Sequence, residues 1–250
     1  MNKEYYIEYY DLEREHWWFR VRENIIVHHL QKLSSGKKDL KILNIGAATG
    51  RTSEVLSNFG QVISLEFDED CCDFVKKKTG MEMVNASVLD LPFKENDFDL
   101  VCAFDIIEHV DDDHKAVEEL KRVCKNDGVI FITVPAFMML WSHHDVVNQH
   151  CRRYVMSGLL NLFKPEPEAI IFKSYFNFLL FPPILAFRLA SRVIPKSLVR
   201  KGAGSDFSVV SNRLVNAFFY RIFDLERIWL KTKTFPVGVS LMFIYRNQKH

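Results

Sequence analysis

The apolar run Leu40-Lys41-Ile42-Leu43-Asn44-Ile45 ends abruptly in Gly46-Ala47-Ala48-Thr49-Gly50, and this junction constrains the fold more than any other stretch of the chain. A short apolar run bounded by turn residues predicts a strand buried on both faces. A helical run to about Phe59 follows, then further strands over 61–67, 81–86, 99–104 and 129–134. Helices are expected over 68–78, opening on acidic residues that suit a positive helix N-terminus, and over 112–124. Strands alternating with helices at this spacing imply βαβ units and a mostly parallel sheet covered on both faces. Such sheets bind ligands outside the carboxyl ends of their strands, near the point where strand order reverses. Functional residues are therefore sought just after each strand.

Beyond Pro135 the alternation falters. A polar, histidine-rich stretch over 141–154 leads to a short helix ending near Phe163 and a strand over 168–175. Residues 176–233 read as helical, broken at Pro182-Pro183, Pro195 and Gly202-Ala203-Gly204, and a β-rich run over 237–245 closes the series. At the start, residues 5–33 alternate charged and aromatic side chains at helical spacing and stop at Ser34-Ser35-Gly36. The expected organisation is an N-terminal helical lid over 1–36, a core over 37–175, a helical cap inserted over 176–234, and a closing strand over 235–250.

In the turn, Gly46 permits a tight bend, and small residues let a ligand approach backbone amides at a helix start. Glu66 ends the second strand about twenty residues on, where a carboxylate can accept hydrogen bonds from both hydroxyls of a ribose. A solvated acid would look the same in isolation, since Asp68, Glu69 and Asp70 are close by. Strand, small-residue turn, helix, strand and terminal acid in register point to a ribose-bearing ligand.

Two further segments decide which one. Ser87-Val88-Leu89-Asp90-Leu91-Pro92-Phe93 follows the third strand, and residues 98–110, with Phe104-Asp105-Ile106-Ile107-Glu108-His109, span the fourth strand and its loop. With the Gly46 turn and Glu66 these resemble, in order, the motifs of class I S-adenosylmethionine-dependent methyltransferases over about residues 40–135. The resemblance implies a Rossmann-like, mostly parallel seven-stranded sheet with helices on both faces, and S-adenosylmethionine as cofactor. It implies that Asn44, Gly46, Ala47 and Gly50 hold the methionine part, and that Glu66, with Phe67 beside it, takes the ribose. Ser87 and Val88 would flank the adenine, and Phe104 and Asp105 would line the cofactor next to the transferred methyl. Three positions depart from the pattern: Asn44 stands where an acid is usual, Ser87 where an aspartate is common, and Ala48 where a glycine is expected. Each weakens a contact without removing the pocket. A nicotinamide-dependent dehydrogenase would share the turn and the acid, but the GxGxxG spacing is absent.

Methyl transfer demands proximity and alignment, plus a base where the acceptor must lose a proton. Candidates cluster in the stretch 141–154. His144 or His150 could deprotonate an acceptor hydroxyl, and Arg152 and Arg153 could bind a phosphate or carboxylate. Any one of these could equally hold the loop in shape. The segment Glu15-His16-Trp17-Trp18-Phe19-Arg20-Val21-Arg22, together with His150-Cys151-Arg152-Arg153-Tyr154 and the closing Phe235–Leu241, is similar to a subgroup of these enzymes often associated with surface-polysaccharide or lipid-linked glycan pathways. The reading is thus a methyltransferase for a small-molecule or lipid-linked acceptor, with a catalytically inactive cofactor-binding protein as its alternative.

In the predicted cap, Arg188, Arg192, Lys196 and Arg200 recur every four residues beside an apolar run, and ten Lys/Arg stand against three Asp/Glu between Arg188 and Lys233. Residues 181–201 could therefore rest on an anionic membrane surface, although a solvated helix face would read alike. The whole-chain formal charge of +1 argues against a nucleic-acid substrate, as does the lack of an Asn/Asp-Pro-Pro-aromatic tetrapeptide after the fourth strand. No apolar segment reaches the roughly 18 residues of a spanning helix, the start lacks a secretory h-region, and five cysteines without CxxC spacing suit reduced thiols. A cytoplasmic protein, in contact at most with the inner membrane face, is expected. No metal site is expected, because no histidine has acid or thiol partners at ligand spacing, the group His143-His144-Asp145 being the nearest approach.

Overall fold

Along each strand of the computed structural model, which describes residues 3–34, 39–193 and 213–248, the pleat sends successive side chains into two separate cores. The elements in chain order are α1 (Lys3–Glu15), α2 (Trp17–Ser34), β1 (Leu40–Ile45), α3 (Arg51–Leu56), β2 (Gly60–Glu66), α4 (Glu69–Thr79), β3 (Val84–Asn85), β4 (Phe98–Phe104) and α5 (Asp113–Val123). They continue with β5 (Cys124–Pro135), α6 (His143–Val147), α7 (Met156–Phe163), β6 (Ile170–Phe176), α8 (Phe181–Val193), α9 (Arg213–Leu230) and β7 (Ser240–Arg246). The strands form one seven-stranded sheet in the order β3-β2-β1-β4-β5-β7-β6. β7 runs antiparallel to both β5 and β6, and the other pairings are parallel. The Rossmann-like, mostly parallel sheet with helices on both faces is as expected. Strand order reverses between β1 and β4, which places the ends of these two strands at the ligand-binding edge.

Leu43 and Ile45 of β1, Val101 and Ala103 of β4, and Ile130, Ile132 and Val134 of β5 face one core, closed by α5 and α7 through Ala116, Leu120, Leu159 and Phe163. Ile42, Leu100, Cys102, Phe104 and Phe131 face the other. That second core is closed by Trp17, Val21, Ile25, Ile26 and Leu30 of α2 and by Phe223 and Leu230 of α9. Burying each of these side chains stabilises the fold by on the order of 2 kcal/mol. α2, expected in a lid, and α9, expected in a cap, both pack on the core. α2 and α9 are the helical layer of one sheet face, which α3 alone is too short to cover. Trp17 and Phe223 meet edge to face, with ring centroids 5.8 Å apart, and Asn216 on α9 accepts from the Trp17 amide at 2.7 Å.

Local capping follows the sequence. Asp68 caps α4 by accepting from Cys71 N, and Asp112 caps α5 by accepting from Lys115 N. The third strand is reduced to two residues, and the closing strand begins at Ser240 rather than 237. Pro195, Lys196, Arg200 and the Gly202–Gly204 break lie outside the described residues. Among the described residues, no helix is long and apolar enough to cross a membrane.

Candidate active site

The turn after β1 bends through positive φ at Gly46 (68°), Ala48 (45°) and Gly50 (90°). A Cβ on Gly46 would lie 1.8 Å from Ile106 Cδ1, so this position needs glycine for both dihedral and space. Ala48 holds a left-handed conformation that costs an L-residue about 1 kcal/mol. The turn is tied to the tip of β2: Ala47 N donates to Leu65 O at 3.0 Å, and Ala48 N donates to Glu66 Oε2 at 2.9 Å. Glu66 Oε1 accepts from Phe67 N at 2.9 Å and Asp68 N at 3.1 Å. The carboxylate is fixed beside the turn and still has lone pairs for a ribose. Phe67 next to it is 75% exposed. Ser87 Oγ accepts from Leu89 N at 3.1 Å, and Val88 is buried.

Asn44 lies elsewhere than expected. Its buried amide donates to Ser53 Oγ at 2.8 Å, and Ser64 Oγ donates to the same hydroxyl at 2.7 Å. Its hydrogen bond braces α3 against β1 and β2, because the side chain of a strand residue two before the turn points into the sheet–helix layer.

Both N-terminal helices reach this edge. Thr49 in the turn donates to the carboxylate of Glu13 on α1. Glu13 is buried, and burial pushes its pKa up to about 7 against the lowering effects of the Thr49 bond and of Arg14 and Arg22. Tyr6 OH donates to Asp68 Oδ2 at 2.8 Å. From α2, Arg22 Nη2 meets Asp105 Oδ2 at 2.5 Å, just past β4. Asp105 sits at φ 59° and also accepts from Thr133 Oγ1 at 3.2 Å. The Arg22 guanidinium lies 5.6 Å from the Phe104 ring centroid. Nothing in the chain's local pattern marks Arg22 or Glu13, whose partners are 83 and 36 residues away.

The loop after β5 is built around Asp145, which is fully buried. Its Oδ1 accepts from Arg153 Nε at 2.7 Å and lies 2.9 Å from His150 Nδ1, while Oδ2 accepts from Arg153 Nη2 at 3.1 Å and Ser142 N at 2.8 Å. Burial would raise the Asp145 pKa, but the His150 and Arg153 hydrogen bonds outweigh it and hold the carboxyl well below its ordinary range. Arg153 also donates to Ala136 O at 3.1 Å, and Arg152 is engaged by Asp113 at 2.7 Å and Asp111 O at 2.7 Å. Arg153 is buried against Asp145, whereas Arg152 keeps part of its side chain exposed. His144 is engaged by Asn148 at 3.2 Å.

With Nδ1 on Asp145, His150 turns Nε2 toward the loop after β4. There the His109 ring meets it perpendicularly, centroids 4.6 Å apart, and Glu108 lies beneath with both carboxylate oxygens buried and without a hydrogen-bond partner. Burial drives the Glu108 pKa upward, with Asp105 adding to the effect. Sequence reading missed Glu108 and Asp145 as site residues; buried acids near the strand ends were the signal.

The class of fold is Rossmann-like, with the glycine turn, Glu66 and the His150–Asp145 pair on the edge where strand order reverses. Residues 43–132 match the family model described as a methyltransferase domain. A Mycobacterium tuberculosis protein named "Probable S-adenosylmethionine-dependent methyltransferase" is 27% identical over 127 residues, covering 50% of this chain and 45% of its own length. The demethylmenaquinone methyltransferase of Staphylococcus epidermidis is 28% identical over 128 residues, 46% of this chain and 53% of that one. The chain thus spans about half the length of the curated relatives it matches. In fold it is similar to phosphoethanolamine N-methyltransferase 2 of Haemonchus contortus, solved with S-adenosyl-L-methionine, with TM-score 0.54 at 16% identity over 91% of this chain and 53% of that chain.

Proposed function

We propose that the chain is an S-adenosylmethionine-dependent methyltransferase acting on a small-molecule or lipid-linked acceptor. The observation that carries the reading is the junction of turn and acid: Glu66 accepts from Ala48 N, so the ribose carboxylate and the turn are one rigid body. The donor set fits the cofactor. Gly46 to Gly50 would receive the methionine part, Glu66 with Phe67 beside it the ribose, Ser87 and Val88 the adenine side, and Phe104 and Asp105 the region of the sulfonium. When bound, the cofactor supplies an electrophilic methyl group. The protein supplies alignment, and on the acceptor side His150, oriented by Asp145, can take a hydroxyl proton at Nε2. Arg153 acts through Asp145 and is a positioning residue. His144 lines the same loop.

Glu13 fastens α1 to the turn, which supports a lid role for α1, while Arg22 reaches Asp105 from the core helix α2. A lipid-linked acceptor is favoured by α9, where Phe218, Leu225 and Ile228 are 59%, 60% and 60% exposed along one helix face.

Calorimetric titration with S-adenosylmethionine, S-adenosylhomocysteine and NAD tests the reading, alongside Glu66→Gln. Loss of charge-assisted hydrogen bonds worth about 1.5–3 kcal/mol should weaken S-adenosylmethionine binding roughly 10- to 100-fold. Binding of NAD alone would overturn the assignment.

A further inference from the structure

The end of β4 holds more chemistry than one base requires. Glu108 is 0% exposed, yet neither of its carboxylate oxygens has a hydrogen-bond partner. A buried carboxylate left unsatisfied is costly unless something cationic meets it. Ring nitrogens come close to it: one ligand atom each from Glu108, His109 and His150 lie within 4.8 Å of one another. Arg22 and Arg153 act on it only as more distant charges, without a hydrogen bond, and Asp105 adds a like charge. Ligands about 2.1 Å from a common ion stand roughly 3–4 Å apart, so small side-chain rotations close the set.

We propose that Glu108, His109 and His150 bind a divalent transition-metal ion at the acceptor edge of the site. Two imidazoles and a carboxylate favour Zn²⁺, Mn²⁺, Fe²⁺ or Co²⁺ over Mg²⁺ and Ca²⁺, which prefer all-oxygen donors. The surroundings suit a ligand histidine. His150 Nδ1 lies 2.9 Å from Asp145 Oδ1, and a carboxylate on one ring nitrogen leaves the other available as a metal ligand. Asp145 is in turn held by Arg153, which gives that arginine a purpose two steps from the ion. Three protein ligands leave coordination positions open. The cluster follows Ile106, whose Cδ1 covers Gly46 of the turn, so an ion held by these residues would belong to the same edge of the sheet and could polarise an acceptor hydroxyl there. This role rests on the methyltransferase reading, and in the loaded protein His150 serves as a ligand instead of a base.

The three ligands come from two loops 41 residues apart in sequence, from His109 to His150, which is why ligand spacing along the chain showed no metal site.

The test is metal binding by the tag-free full chain, without cofactor or acceptor. Zn²⁺ and Mn²⁺, with Mg²⁺ for comparison, are titrated calorimetrically, and bound metal is counted by mass spectrometry after dialysis. One equivalent of Zn²⁺ or Mn²⁺ is expected, bound at least ~10-fold more tightly than Mg²⁺. Glu108→Gln and His109→Ala should each weaken it at least ~10-fold, while His143→Ala, on the exposed side of the loop, should not. His109 is exposed, so its variant keeps the test meaningful even where Glu108→Gln disturbs folding. Absence of stoichiometric binding in the wild type, or binding unchanged in His109→Ala, overturns the proposal. Cofactor binding in the separate titration is independent of this outcome, so failure of the metal site and failure of the methyltransferase reading remain distinguishable.

Discussion

Asp145 concentrates more electrostatic consequence than any other single residue of the acceptor loop. It is buried, paired with Arg153 through two hydrogen bonds and in contact with His150. Replacing it by Asn would leave the Arg153 guanidinium buried without a counter-charge, a change that costs about 3–5 kcal/mol. Asp145→Asn should therefore lower the thermal midpoint by several degrees and abolish activity, and calorimetric unfolding read with a methyl-transfer assay checks both. The sign with pH follows from the depressed carboxyl. The stability contributed by Asp145 is present above the unfolded-state pKa of about 4 and fades as pH falls toward its lower folded value. Unfolding followed between about pH 6 and 2 should show this acid-limb slope in the wild type and a shallower one in Asp145→Asn. At this scale the sequence was partly legible. Gly46 and Glu66 could be placed because their roles follow from backbone position after a strand. Asn44 could not, since only the packed layer shows that its amide meets Ser53, and Arg153 looked like an acceptor-binding cation until its buried partner was visible.

At the scale of elements, the N-terminal helices do two different jobs. α2 is a core helix: its Trp17, Val21, Ile25, Ile26 and Leu30 fill one face of the sheet against α9. The aromatic density that suggested a lid is largely core packing, the other reading such a segment allows; sequence alone does not decide between them, because the side of the sheet left bare depends on how few helices cross over it. α1 is fastened by polar contacts instead, with Glu13 on Thr49 and Tyr6 on Asp68. Glu13 makes that fastening pH-dependent. Its folded pKa is raised to about 7 while the unfolded value is ordinary, so the folded state holds the proton more tightly. The Glu13 contribution is then complete below the unfolded pKa and is lost as pH rises through the folded one. Over that window the loss is on the order of 3 kcal/mol, since each tenfold difference in proton affinity corresponds to about 1.4 kcal/mol. Protection factors in α1, with the intrinsic pH dependence of amide exchange divided out, should fall between about pH 5.5 and 8 in the wild type, and Glu13→Gln should flatten that fall. An equal fall in the variant would remove Glu13 as the cause.

For the whole molecule, the near-zero net charge hides an uneven distribution. A formal charge of +1 overall coexists with ten basic against three acidic residues between Arg188 and Lys233. Part of that stretch, 194–212, lies outside the described residues; within α9 itself the two faces differ. Phe223 and Leu230 enter the core, while Phe218, Leu225 and Ile228 occupy the opposite face and are more than half exposed, with Arg213 and Arg221 exposed on the same helix. An apolar stripe flanked by cations suits the interface of an anionic membrane, where apolar burial and electrostatic attraction act together. The protein should co-sediment with vesicles containing phosphatidylserine at low salt and be released as ionic strength rises, since the charge contribution decays within a Debye length of about 8 Å at roughly 0.15 M. Phe218→Ser with Leu225→Ser, both at exposed positions and so harmless to folding, should reduce binding to anionic vesicles several-fold at every salt concentration. A protein that stays in the supernatant at low salt makes no such membrane contact, and the stripe is then an ordinary helix surface. Binding that the double variant retains would instead assign attachment to charge alone, with the apolar face of α9 making no contribution.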